Sequence, residues 1–266
     1  MTRSDTAADD RAPENYSTRS SPGERTEFEQ QWRQRFVGFA TLRDDDAGIA
    51  GWSPSGLDAR FRFFRRLWRS VARESIYLDV GCGAGTYTRW LVEQGLYVVG
   101  LDYSHLTLIK ARGRAATDLH MCAGDARMLP FESRSVDGVL CFGVLQALSE
   151  STAVVRELAR VLKPGGELWI DALNRSALSA RLERARLRLK GRNMHLRYES
   201  RTVVERILRE AGFVDPVPHW LPIAPSRLRH LQPILESRGA RYAMACLPGV
   251  GALLSHAFVF HARRAA

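Results

Sequence analysis

Three glycines on alternate positions follow a short apolar run, and an acidic residue lies near the end of that run. The run is Ile76–Val80, with Asp79 inside it and Gly81, Gly83 and Gly85 after it. Glycine lets a backbone approach a ligand closely and adopts conformations that other residues avoid. A carboxylate beside such a loop suits a ligand that carries an ammonium group. The segment therefore predicts a binding site for a cationic, nucleotide-like molecule.

A second acidic residue follows the next apolar run. Tyr87, Leu91 and Val92 recur at helical spacing after the glycines, and the apolar run beyond them ends at Asp102. Strand, glycine turn, helix, strand and acid form the order in which a doubly wound sheet holds a nucleotide, since the acid accepts hydrogen bonds from ribose hydroxyls. The spacing G-x-G-x-G differs from the G-x-G-x-x-G of dinucleotide sites, which argues against a pyrophosphate ligand.

Residues 77–172 resemble the class I S-adenosylmethionine (SAM) methyltransferases. The sequence D-x-G-x-G-x-G is similar to motif I of that family, and Asp102 in GLDYS is similar to its ribose-binding acid. The loop 124–126 resembles the one whose acid meets the adenine amine. Residues 136–142 resemble the fourth strand, and residues 162–166 the turn into the fifth. The chain is similar to the methyltransferase-11 group, which includes small-molecule enzymes of the UbiG and UbiE type.

The resemblance implies a SAM site, with S-adenosylhomocysteine as the product. Asp79 is expected to orient the glycine loop and the ammonium end of SAM, while Tyr103 and Ala126 flank the adenine. The sequence shows no metal-ligand cluster, so no metal is predicted. The implied cofactor-binding residues are Asp79, Gly81, Cys82, Gly83, Gly85, Asp102, Tyr103, Asp125, Ala126 and Phe142.

The motifs do not identify a general base for the methyl acceptor. His195, which has arginines close by on both sides, is the preferred base or substrate anchor, and Tyr198 is a second catalytic candidate. His219 also lies in a segment that is expected to border the pocket. Gln146 stands where many relatives have a histidine after the fourth strand, so that polar contact is not carried over.

The predicted fold is α/β, a Rossmann-like, doubly wound sheet of seven strands whose last strand is antiparallel. Residues 1–26 are rich in Ser, Thr, Asp and Pro, which predicts a disordered tail. Residues 27–73 carry aromatics at helical spacing and predict an N-terminal helical cap. Residues 74–266 form the predicted SAM-binding domain. Within it we expect a basic helical insertion at 174–198 and a helical excursion at 225–250, the latter lining the substrate side or mediating a homodimer contact.

Positive charge is concentrated after the fifth strand, and three interpretations of it remain open. Residues 175–190 can form a basic amphipathic helix that contacts anionic lipid headgroups. The same arginines can bind the phosphate of a phosphorylated substrate. Alternatively, the helix is solvated and packs its apolar stripe on the sheet. The stripe comprises Leu178, Leu182, Ala185 and Leu189.

Composition limits the class of protein. A chain of 266 residues with 45% hydrophobic residues can build one domain with additions. The four cysteines include no C-x-x-C pair, and no apolar run approaches transmembrane length. We therefore expect a cytoplasmic protein, peripheral to the membrane if the basic helix binds lipid. The preference for arginine over lysine indicates a GC-rich bacterial genome.

The resemblance implies SAM-dependent O- or C-methylation of a small molecule in lipid, quinone or specialised metabolism. A first alternative is a non-catalytic SAM-binding scaffold or regulator. A second is an RNA methyltransferase, since the net charge is +10. The basic stretch lacks interleaved aromatics, and residues 141–144 read CFGV rather than N-P-P-Y, so nucleic acid is not the expected partner.

Overall fold

The protein is described by a computed structural model that covers residues 26–69, 71–115, 118–192 and 196–266. Nearly all of the predicted N-terminal tail lies outside the described residues. The side chain of Thr26, the first of them, accepts a hydrogen bond from the backbone of Glu29 and so caps the first helix.

Seven strands form one mixed sheet in the order β3-β2-β1-β4-β5-β7-β6. Strands β1 to β5 are mutually parallel, and β7 is antiparallel to both of its neighbours, β5 and β6. This topology confirms the predicted doubly wound sheet with an antiparallel last strand. The strands are β1 (Ile76–Val80), β2 (Tyr97–Asp102), β3 (His120–Ala123), β4 (Val136–Cys141), β5 (Leu162–Leu173), β6 (Phe213–Leu221) and β7 (Ala257–Arg264).

Helices flank the sheet and cover its carboxyl edge. Short 3-10 turns at Leu145–Ala147 and Ser226–Leu231 complete the described elements. No helix in the described ranges is long and apolar enough to span a membrane. The helices are α1 (Glu27–Leu42), α2 (Asp46–Ile49), α3 (Pro54–Leu67), α4 (Thr86–Glu93), α5 (His105–Arg112), α6 (Thr152–Val161), α7 (Leu178–Leu189), α8 (Arg201–Glu210), α9 (Gln232–Leu235), α10 (Arg238–Cys246) and α11 (Pro248–Leu254).

The central strands are buried on both faces, which explains their nearly continuous apolar runs. On one face, Leu158 of α6 and Leu208 of α8 pack in the same core cluster as strands β1, β4 and β5. On the other face, Phe64 of α3 and Leu91 of α4 pack with Trp169 of β5. These two layers hold the carboxyl ends of β1, β2 and β4 in a fixed arrangement.

The structure shows that the leucines of α7 do not pack on the sheet, so that interpretation of the stripe is wrong. Leu178, Leu182 and Leu189 are 49%, 62% and 91% exposed, and Ala180 is the residue of α7 that is buried. The helix also begins later than residue 174, because Asn174 pairs with a neighbouring segment as an extension of β5. The spacing of the apolar residues predicted the helix correctly, but it did not indicate whether another part of the protein covers the stripe.

The predicted helical excursion consists of the second 3-10 turn and α9 to α11. It continues to Leu254, beyond the predicted limit at residue 250, and the last strand begins at Ala257. Asn174 fixes the end of this excursion, because its side-chain amide donates hydrogen bonds to the carbonyls of Ala252 and Ser255 at 2.7 and 2.8 Å.

A glycine in β4 gives a test of this packing. A Cβ on Gly138 would overlap the buried ring of Tyr77, whose hydroxyl is hydrogen-bonded to Glu167 and so cannot move away easily. We expect Gly138→Ala to lower the free energy of unfolding by about 1–3 kcal/mol through overpacking. In α1, Gly38→Ala is the control, since nothing lies within 4 Å of the added Cβ. Urea denaturation should show Gly38→Ala stabilising by up to about 1 kcal/mol, and equal midpoints for both variants would contradict this packing.

Candidate functional site

The loop between β1 and α4 has a backbone that glycine favours. Gly81, Gly83 and Gly85 have φ values of 73°, 52° and 77°, which other residues rarely adopt. A Cβ at Gly81 would also overlap the side chain of Val144. The Gly81 amide donates a hydrogen bond to the carbonyl of Leu101 at 2.7 Å, which fixes the loop against β2. The loop therefore exposes backbone at the carboxyl edge of the sheet.

Asp79 lies buried beneath this loop. Its carboxylate accepts a hydrogen bond from the Thr88 hydroxyl at 2.6 Å. Burial, with a smaller contribution from the charge of Asp102, raises the pKa of Asp79 to about 6 although the Thr88 bonds oppose the shift. A positive group beside a buried carboxylate stabilises the ionised form, which burial alone makes unfavourable. Asp79 is therefore suited to an ammonium group.

Asp102 ends the neighbouring strand β2 and is also buried. Its two carboxylate oxygens accept hydrogen bonds from the backbone amides of Ser104 at 2.9 Å and Gly83 at 3.2 Å. Burial raises the pKa of Asp102, and these hydrogen bonds act in the opposite direction. The acid is thus tied to the glycine loop, as a ligand that contacts both would require.

A cavity lies between this edge and the N-terminal helices. Gly85, the last glycine of the loop and the N-cap of α4, is not on its wall. The loop, both buried acids and the segment after β4 meet at this one cavity, although the chain separates them widely. Of the ten predicted cofactor-binding residues, those on the cavity wall are Asp79, Gly81, Cys82, Gly83, Asp102, Tyr103, Asp125, Ala126 and Phe142.

Helix α1 closes the cavity on the adenine side of the predicted site. Glu29, which is 4% exposed, accepts hydrogen bonds from the Ser149 hydroxyl at 2.6 Å and from Arg127 at 2.9 Å. Arg127 also contacts Asp125 at 3.1 Å, and Arg33 of α1 lies 3.6 Å from the same carboxylate. Asp125 is therefore engaged by two arginines, and its role toward adenine stays a prediction.

Helix α2 closes the other side of the motif loop. Asp46 accepts a hydrogen bond from the Thr86 hydroxyl at 2.6 Å and forms an ion pair with Arg89 of α4. Glu29, Arg33 and Asp46 all line the cavity, and sequence analysis missed them. Their partners lie tens of residues away, so no local spacing could have identified them.

The wall next to β4 is aromatic and apolar. Trp52 and Leu57 line it beside Gly143, whose added Cβ would contact the Trp52 ring. The Arg60 guanidinium lies 4.2 Å from the centre of a Trp52 ring, and its Nε is 3.3 Å from the buried Asp171 carboxylate. Asp171 thus fixes Arg60, which in turn stacks on the Trp52 ring at the cavity wall.

The structure describes only some of the predicted catalytic side chains. His195 lies outside the described residues, so its role stays a prediction. Tyr198 packs on the core around Trp169, and His219 lines a separate groove near Phe63, where burial lowers its pKa to about 4. Neither Tyr198 nor His219 lies on the wall of this cavity, and the catalytic role of Tyr198 stays a prediction.

Two further findings concern the groups available for chemistry. In the part of the chain that the structure describes, the cavity wall includes no histidine or lysine. Within the same ranges, no group of three or more His, Cys, Asp or Glu side chains could hold a metal ion.

Comparison with known proteins agrees with the fold. Residues 78–170 match the family model described as "Methyltransferase domain". The biotin biosynthesis bifunctional protein BioHC of Cellvibrio japonicus is 34% identical over 61% of this chain and 33% of its own length. A demethylmenaquinone methyltransferase of Renibacterium salmoninarum is 36% identical over 40% of this chain and 47% of its own length. A ubiquinone biosynthesis O-methyltransferase of Idiomarina loihiensis is 32% identical over 38% of this chain and 44% of its own length. The chain thus spans a third to a half of these relatives.

Solved structures share the fold at low identity. The phosphoethanolamine N-methyltransferase 2 of Haemonchus contortus, bound to phosphomonomethylethanolamine and S-adenosylhomocysteine, has a TM-score of 0.63 and 18% identity. The match covers 91% of this chain and 61% of the Haemonchus contortus chain. The [4+2]-cyclase SpnF has a TM-score of 0.60 and 18% identity, and the match covers 91% of this chain and 98% of the cyclase chain. Since one neighbour is a cyclase, the shared fold does not by itself fix an activity.

The raised pKa of Asp79 predicts a pH dependence of ligand binding. As pH falls from 7 to 5, Asp79 takes up a proton and loses its attraction for an ammonium group. We expect the affinity for S-adenosylhomocysteine, measured by calorimetry, to fall about tenfold more in the wild type than in Asp79→Asn, given a pKa of about 6. Asp44→Asn is the control, because that side chain is 91% exposed.

The raised pKa of Asp79 also predicts that replacing this residue increases stability while it weakens ligand binding. In the ligand-free protein, a raised carboxyl pKa makes the contribution of Asp79 to stability fall as pH rises from about 4 to about 6. Asp79→Asn should therefore melt at a higher temperature than the wild type at pH 7 while binding the ligand more weakly. A lower melting temperature together with unchanged affinity would contradict the assigned role.

Proposed function

We propose that this chain, whose residues 78–170 match a methyltransferase domain, is a class I SAM-dependent methyltransferase that transfers a methyl group from SAM to a small-molecule acceptor. One observation carries the proposal. Asp79 and Asp102, on neighbouring strands, flank a glycine loop at the wall of a single cavity. A dinucleotide would place pyrophosphate beside Asp79, where two negative groups would repel each other.

The residues present fit SAM. Asp102 would accept hydrogen bonds from the ribose hydroxyls, and Asp79 would face the ammonium group. Tyr103 lies beside Asp102 on the wall, with its ring under the Arg33 guanidinium at 4.4 Å and its hydroxyl bonded to the Arg33 carbonyl. This fixed ring can support one face of the adenine.

Bound SAM supplies a methyl group on a positively charged sulfur, whose departure needs no acid. The contribution of the chain is therefore to align the acceptor with that methyl and to exclude water. Proximity and orientation of this kind can reduce a barrier by about 7–11 kcal/mol. Trp52, Leu57 and Phe142 form a wall suited to this purpose, because apolar side chains exclude water from the space beyond β4.

We take the acceptor to be lipophilic and planar, with methylation at oxygen or carbon. The aromatic wall beside β4 supports this choice, and so do relatives named for demethylmenaquinone and ubiquinone. A phosphorylated acceptor fits less well. Arg33 and Arg127, the arginines of the described cavity wall, already pair with Asp125 and Glu29.

We propose that the protein is cytoplasmic and binds the membrane peripherally through the exposed surface of α7. Partial burial and the charges of Arg175, Arg188 and Arg181 lower the pKa of Arg184, which reflects concentrated positive charge. The α7–α11 surface, defined by the exposed residues of two contacting helices, combines this charge with apolar area. Its leucines are Leu178, Leu182, Leu189, Leu253 and Leu254.

Methyl transfer can be tested with methyl-labelled SAM and a bacterial lipid extract. We expect label to enter the organic phase only with protein present, and S-adenosylhomocysteine to form in equal amount. Asp102→Ala should reduce affinity for S-adenosylhomocysteine at least tenfold, because it removes hydrogen bonds to a charged group. Asp137→Asn, which changes an acid bonded to Lys163 away from the cavity, is the matched control.

Two results would count against the proposal. Tight binding of S-adenosylhomocysteine without product from lipid or aqueous extracts would favour a non-catalytic scaffold. Absence of binding, with Asp102→Ala equal to the wild type, would remove the cofactor assignment itself.

Membrane binding can be tested by sedimentation with phosphatidylglycerol vesicles. We expect the variant Arg181→Glu with Arg188→Glu to bind at least tenfold more weakly, since each basic residue near an anionic surface contributes about 1 kcal/mol. Arg206→Glu with Arg209→Glu makes the same charge change on α8 and should bind like the wild type. Equal losses in both variants, or no wild-type binding, would exclude a specific role for α7.

A further inference from the structure

One buried hydroxyl group on the cavity wall forms no hydrogen bond within the protein. The Tyr87 side chain is 6% exposed, and its hydroxyl has no hydrogen-bond partner. Three other buried polar atoms of the described residues lack a partner, but their residues do not line the cavity. Tyr87 does line it, in the first turn of α4 directly after the glycine loop.

The surroundings of Tyr87 would accept phenylalanine. The rings of Phe61, Phe64 and Phe142 surround it, with centres 5.5, 5.6 and 4.9 Å away. In such a cluster, a hydroxyl adds no packing, and an unpaired buried hydroxyl lowers stability because it has lost its water. The hydroxyl is thus explained if a ligand in the cavity supplies the missing partner.

The protonation state of this hydroxyl indicates what the partner is. Burial and the negative charges of Asp171 and Asp79, only partly offset by the positive charge of Arg60, raise the pKa of Tyr87 well above its usual value. The phenol therefore keeps its proton and acts as a donor. A donor forms its strongest hydrogen bonds with oxygens that carry negative charge, so this hydroxyl suits a ligand carboxylate.

The position of Tyr87 indicates which end of a nucleoside it meets. Its ring packs on Phe142, just beyond β4, whereas Asp102 ends β2 on the opposite side of β1. A ligand with its ribose at Asp102 and its ammonium at Asp79 therefore extends toward Tyr87. The amino-acid end of SAM carries one further charged group, its carboxylate.

We propose that the Tyr87 hydroxyl donates a hydrogen bond to the carboxylate of bound SAM. The inference rests on the proposed function, since it takes SAM as the ligand. Tyr87 and Asp79 then recognise the two charges of the amino-acid end separately. This role of Tyr87 differs from that of Asp102, which would bind the ribose hydroxyls of the nucleoside.

Calorimetry with two ligands tests this assignment. S-adenosylhomocysteine has the carboxylate, and 5′-methylthioadenosine has the same nucleoside without the amino-acid end. We expect Tyr87→Phe to weaken S-adenosylhomocysteine binding about tenfold, because hydrogen bonds to charged groups are the stronger class, and to leave 5′-methylthioadenosine binding unchanged. The ligand-free variant should melt no lower than the wild type, because it loses no hydrogen bond.

Tyr103→Phe is the matched control. Its hydroxyl donates to the carbonyl of Arg33 at 3.1 Å, so its loss should lower the melting temperature and affect both ligands by the same factor. Equal effects of Tyr87→Phe on the two ligands, or none on either, would overturn the assignment of Tyr87 alone. Wild-type protein that binds neither ligand would overturn the proposed function, and this inference with it.

Discussion

The candidate site depends on a buried carboxylate held beneath a loop that glycine builds. Asp79 is kept from water by the loop above it, and its ionised form is costly until a positive group arrives. The loop can lie that close because the backbone at Gly81 adopts a positive φ and leaves no room for a side chain. The backbone conformation of the loop therefore allows a ligand to approach Asp79 closely. The charge of that carboxylate would then favour a ligand with a positive group.

The N-terminal helices complete the site that the sheet begins. Glu29 joins α1 to Ser149 and Arg127, and Asp46 joins α2 to the helix after the glycine loop. These contacts are largely shielded from solvent, so they are screened less by salt than surface pairs are. The carboxyl edge of the sheet thus becomes one wall of a cavity that the N-terminal helices complete. Trp52, held by Arg60, adds the aromatic wall.

The sequence predicted well what short-range patterns encode. The five motifs identified strands and turns in order, because parallel strands buried on both faces carry uninterrupted apolar runs. It predicted poorly what depends on distant partners. Tyr198 packs on the core around Trp169, and His219 lies in a groove separate from the cavity. The leucine stripe of α7 was periodic, but periodicity does not state what covers it. Glu29 gave no local signal, since Ser149 lies far along the chain.

The enclosure by α1 and α2 also bears on how the nucleoside is exchanged. A molecule in this cavity would contact both the sheet and α1, because Asp102 and Phe36 both line it. Such a molecule would stabilise the position of α1 against the sheet. Ligand exchange and movement of the first helix would then be coupled.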